Sequence, residues 1–98
     1  MVGTAVCTAI PCVGALASFG KAGVGAVATQ SFVNPYLGID TLQLLTEGYS
    51  VQEALATVLA ADPGRETRQL AVVDVKGNVA GFTGKECIPW FGHVVGAD

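Results

Sequence analysis

An α+β domain with a mainly antiparallel sheet is predicted from two observations. Two amphipathic helical stretches stand next to each other in mid-chain, over about 38–47 and 51–62. Short runs of β-branched and small residues lie before this pair, and two more follow it. Strands, then paired helices, then strands is the order of α+β folds, not of alternating βα units. No repeat, linker or low-complexity tract divides the 98 residues, which suffice for one domain and one core.

Residues 2–8, VGTAVCT, read as a strand with Val2, Thr4, Val6 and Thr8 on one face. Pro11 and Gly14 mark a bend, and 15–19 fits either a short strand or a loop. The stretch 21–36, KAGVGAVATQSFVNPY, is the centre of the chain. Its Val24 and Val27, set among alanines and glycines, predict a strand over 23–30 buried on both faces. Gly23 and Gly25 lack a Cβ and let another backbone or a ligand come close. The strand then delivers Thr29, Gln30, Ser31 and Asn34 to one end, before Asn34-Pro35 closes it. A polar tip on a buried strand is a common way to present a site. Thr29, Gln30 and Asn34 are therefore candidate substrate-facing residues.

Asp40 is placed to cap the first helix, Leu42 and Leu45 share a face, and Gly48 stands at the C′ position. Ser50 and Glu53 form a capping box for the second helix. Val51, Leu55, Val58 and Leu59 recur at helical spacing until Asp62-Pro63-Gly64 ends the run. Residues 69–75 and 78–83 then read as a hairpin, with Asp74 and Gly77 at the first and last places of a type I turn. Apolar, Pro-broken CIPWFG follows at 87–92.

Only 13% of the residues are charged, against about 25% in an average soluble domain. A surface so poor in charge predicts cover by a partner subunit or by a missing part of the same fold, and a homo-oligomer is expected. Net charge is −3 and the five basic residues are scattered, which argues against nucleic-acid binding. Residues 1–20 carry no charge, yet Pro11 and three glycines interrupt them and no basic segment precedes them. Neither a membrane span nor a signal peptide is expected, and the compartment predicted is the cytoplasm. Cys7, Cys12 and Cys87 have no CxxC spacing and read as buried small hydrophobes in a reducing compartment. No metal site or cofactor is expected.

His93 is the single histidine and a further candidate site residue. No GxSxG elbow is present, and the spacing does not select a triad of Ser31 or Ser50 with His93 and Asp74. Gly-Val-Gly-Ala-Val-Ala at 23–28 lies inside a strand, so it is not a dinucleotide loop. Arg65, Glu66 and Arg68 read most simply as a solvated turn, with anion binding as the alternative.

The runs GVGAVATQSFVNPY (23–36), EALATVLAADPGRETRQLAVVDVKGNVAGFTG (53–84) and ECIPWFGHVVG (86–96) resemble domain-of-unknown-function family ten-twenty-eight, over essentially the whole chain. That bacterial family is placed among the N-terminal-nucleophile (Ntn) hydrolases, relatives of proteasome β subunits. The resemblance implies an αββα sandwich of two antiparallel sheets between helix layers, and amide hydrolysis as the chemistry. In such enzymes the first residue, Thr, Ser or Cys, attacks with its side chain, and its own α-amino group acts as base. Family members usually begin with a Thr-initiated strand upstream of the segment matching 2–13. Phe82 stands where many relatives have histidine, and Ala9 where lysine is common. The implied reading is one incomplete domain over 1–98, an interior piece of a domain on the order of 200 residues. Its nucleophile would lie upstream of Met1, and its substrate would be a small amide. The alternative is a non-catalytic scaffold or assembly domain that keeps the fold.

Overall fold

The computed structural model describes residues 1–97. One helical turn, α1 (Gly14–Ala17), runs directly into β1 (Ser18–Lys21), and a tight turn leads to β2 (Gly25–Ser31). Helices α2 (Pro35–Thr46) and α3 (Val51–Ala61) follow, then a 3₁₀ turn (Arg65–Thr67), β3 (Arg68–Asp74) and β4 (Val79–Thr83). The four strands form a single antiparallel sheet in chain order. A pair of helices returns the chain to the end at which β2 finished, so β3 must run antiparallel beside it; a single crossover helix would have made the pair parallel.

Each helix boundary has a local cause. Asn34 caps α2, its side-chain oxygen accepting from the Tyr36 amide at 3.2 Å, with Pro35 in the first turn. The helix thus starts three residues before the expected 38, and Asp40 lies inside it rather than at its start. Asn-Pro is a helix opening as much as a strand ending, because proline's fixed φ and missing N–H suit the first turn. At the other end Gly48 (φ +99°) donates to Leu45 O, and Tyr49 to Leu44 O, each at 3.1 Å. These two bonds are a Schellman cap. The Ser50–Glu53 capping box opens α3 with bonds of 3.2 and 3.0 Å.

Strand period sorts the sheet residues onto two faces. Val27, Leu70 and Val72 meet Leu37, Leu42, Val51, Leu55, Val58 and Leu59 in the core, with Phe19 and Phe82 at its margin. Both helices therefore lie on one side. The opposite face is built of small residues in register, one row being Ser18, Ala28, Ala71 and Gly81 and the next Gly20, Ala26, Val73 and Val79.

Two expectations about the strands are corrected. Gly23 (φ +72°) belongs to the β1–β2 turn, where Val24 N donates to Lys21 O, so β2 begins only at Gly25. Residues 2–8 form no strand ladder; Gly3 and Thr4 instead help to wall a cleft over the small-residue face. Alternating exposure survives in this segment, but alternation makes a strand only beside a free sheet edge.

Candidate functional site

The small-residue face carries a cleft of about 330 Å³, with Ala26, Ala28, Ala71, Gly81 and His93 among its lining. Among the described residues no Asp, Glu, Lys or Arg lines it. One row further along the strands the small residues give way to Gln30, Gln69 and Thr83, which are direct cross-strand neighbours. A second, shallower cleft of about 290 Å³ opens there between Gln30, Gln69 and the segment 87–92.

Segment 84–93 is tied back onto the sheet. The Gly84 amide donates to Arg68 O at 2.9 Å, and the Glu86 amide to Glu66 O at 2.8 Å. Lys85 N donates to the Glu66 carboxylate at 3.0 Å. Gly84 lies against the Glu66 carbonyl, with no room for a Cβ. So anchored, the chain brings Gly92 O to within 2.6 Å of Gln69 Nε2, and His93 Nδ1 to within 2.8 Å of Thr83 Oγ1. Gln69 Nε2 also donates to Thr83 Oγ1 at 3.2 Å. The outcome is a connected group of carboxamide, hydroxyl and imidazole beside an uncharged cleft.

Of the four residues expected from the sequence, Gln30 and His93 line the open face. Thr29 does not reach it. One residue before Gln30, it points to the helix side, fully buried, and its hydroxyl has no partner among the described residues. Asn34 spends its side chain capping α2. Gln69 and Thr83 were missed, because a polar residue at alternate positions of a hairpin looks solvent-facing until the register is known. The signal that was present is the pairing of hairpin partners 69 and 83 about the turn at 74–77.

Replacement of Thr29 by Val removes an unpaired buried hydroxyl at nearly constant shape. Folding stability in urea is expected to stay level or rise by up to about 1 kcal/mol. A loss above that would show that the hydroxyl has a partner.

The segment read as a solvated turn is otherwise. Arg68 donates from Nε to Asp62 Oδ2 at 2.8 Å and from Nη2 to Oδ1 at 3.4 Å, and Nη1 bonds Phe32 O. The two side chains are only 19% and 6% exposed. A guanidinium so engaged is not free to bind an anion. The Arg68 hydrogen bond is the main reason that the Asp62 carboxyl lies below the usual carboxylate range; burial works the other way, and the Gly64 amide adds to the lowering.

Cys7 and Cys12 are exposed and only Cys87 is buried, its thiol 3.5 Å from Arg68 O, which corrects the reading of all three as core residues. Among the described residues no group of His, Cys, Asp and Glu is arranged to hold a metal ion, and no helix is long and apolar enough to cross a membrane.

The Thr83–His93 contact has the spacing of a nucleophile and its base. No described residue holds Nε2 of that histidine, however, so the third member that orients such a base is not found among them.

The profile of a family described as "Family of unknown function (DUF1028)" matches residues 1–98. A crystal structure of a Silicibacter pomeroyi protein, also described as DUF1028, is similar with a TM-score of 0.83 and 37% sequence identity. The match covers 88% of this chain and 38% of that one, so this chain spans well under half of that protein's length. No curated protein matches the chain.

Proposed function

Since the chain belongs to the DUF1028 family, we propose that it is the central part of an N-terminal-nucleophile amidohydrolase acting on a small neutral amide. The observation that carries this reading is a cleft lined by His93 with no charged side chain among its described residues, and Gln30, Gln69 and Thr83 one row further along the sheet. An ionic substrate entering such a cleft would lose hydration without gaining a counter-charge. A carboxamide, with donor and acceptor in one plane, suits glutamine and imidazole partners. The nucleophile is a Thr, Ser or Cys outside these 98 residues, at the start of the mature enzyme, with its α-amino group as base. The resemblance to Ntn hydrolases supports that assignment. The enzyme works in the cytoplasm as a homo-oligomer and needs no cofactor.

A non-catalytic assembly domain is the second reading. It is favoured by the exposed Ile10, Ile88, Trp90 and Val94, apolar residues of the kind that protein interfaces cover.

The test is N-terminal sequencing and intact mass of the natural protein that carries this chain, followed by a panel of small amides. A mature Thr, Ser or Cys start and cleavage of at least one amide are expected. Gln69→Leu should then lower kcat/KM by roughly 10- to 100-fold, the loss of one or two hydrogen bonds. A mature start at another residue, with the panel untouched, would sink the hydrolase and leave the assembly domain.

A further inference from the structure

We propose that Gln69 and Thr83 hold His93 in a single tautomer, as an Nε2–H donor over the cleft, and that this N–H serves a neutral carbonyl oxygen of the ligand. The direction of each hydrogen bond follows from the one before it. Gly92 O is a carbonyl and only accepts, so the Gln69 atom 2.6 Å from it is the NH₂ group. The same nitrogen lies 3.2 Å from Thr83 Oγ1, and its second hydrogen goes there. Thr83 has one hydrogen of its own, and His93 Nδ1 at 2.8 Å is the acceptor within reach. With Thr83 donating, Nδ1 is the acceptor, which puts the hydrogen of the neutral ring on Nε2.

The ring also has a seat. A Cβ on Gly81 would stand 2.9 Å from His93 Cδ2 and 3.1 Å from Nε2, so the imidazole lies on the bare backbone of β4. Gly81 shares its row with Ala28 and Ala71, which line the same cleft as His93. Nε2 is thus on the cleft side. An N–H matches a carbonyl oxygen, and a preorganised donor gains most where negative charge develops on that oxygen. Gln69 and Thr83 are positioning residues in this scheme, and His93 is the group that touches the ligand. Only the ligand's class rests on the amide reading; the tautomer does not.

These 98 residues hold one histidine, and in the natural protein the nitrogen-15 resonances of its ring are identified as those lost in His93→Gln. In alkaline buffer, with the ring neutral, the wild-type protein should be almost entirely the Nε2–H tautomer. Thr83→Val should let the ratio fall roughly fivefold or more toward that of free imidazole, about the bias one hydrogen bond supplies. Thr83→Ser should retain it, and circular dichroism should confirm that both variants fold. A dominant Nδ1–H form, or a ratio unchanged in Thr83→Val, would overturn the relay. Titration with acetamide should move the Nε2 resonance saturably in wild type, and acetate at equal ionic strength should not. No movement with acetamide, or equal movement with acetate, would overturn the carbonyl ligand. Neither measurement needs turnover, so failure of the hydrolase reading would be seen separately.

Discussion

Replacing Arg68 by Met is expected to destabilise the folded chain by about 3 kcal/mol, the low end for breaking a buried ion pair because the guanidinium is partly exposed. The variant leaves the Asp62 carboxylate, 6% exposed, with the Gly64 amide as its remaining hydrogen bond. It also frees Phe32 O and so loosens the β2–α2 connection. Against a total of about 5–15 kcal/mol for a domain of this kind, the loss is large. Urea denaturation with a fixed m value measures it. The double variant Arg68→Met with Asp62→Leu should recover part of the loss, because no unpaired charge is left.

The same pair sets a pH dependence of known sign. The folded-state pKa of Asp62 is depressed, chiefly by the Arg68 hydrogen bond. Its contribution is therefore fully present above the ordinary carboxylate value of about 3.9 and is lost as pH falls through the lower folded value. Without Arg68 the main cause of that depression is gone. The stability gap between wild type and Arg68→Met should be widest near neutrality and should close as pH drops below about 4. A gap of constant width would show that Arg68 acts through packing and not through the charge of Asp62.

Gly25→Ala should be the second large effect, with a cost of about 2–3 kcal/mol from forced overpacking. A Cβ at Gly25 meets the Val73 carbonyl oxygen well inside van der Waals contact and lies 3.1 Å from Asp74 Cα. These are backbone atoms of the paired strand, so no side chain can rotate away, and β2 and β3 must part at the Gly25–Asp74 end of their ladder. Gly20→Ala is the control. Its Cβ would meet only Gly25 O, at 4.0 Å, and the change should stay within about 0.5 kcal/mol. Amide hydrogen exchange along β2 and β3 would locate the damage: protection lost near Ala26 and Val73 supports strand separation, and protection kept there refutes it.

What the sequence determined by itself is what short-range hydrogen bonds decide. The Ser50–Glu53 box, the Gly48 cap and the 74–77 turn each close within a few residues, so the residue types at those offsets specify them. The buried stripe of Val51, Leu55, Val58 and Leu59 was legible for the same reason, since 3.6-residue spacing needs no knowledge of the partner. The α+β class followed from the order of these elements. Only the tertiary structure decided which face each strand residue occupies. Thr29 and Gln30 are adjacent polar residues, and the pleat sends one into the core and the other to the open face. Gln69 and Thr83 joined the site because register sets them beside Gln30, and Arg68 left the solvent because Asp62, six residues back, ends beside it after the 3₁₀ turn. Pairing across the sheet joins residues tens of positions apart, and no local pattern in the chain carries that information.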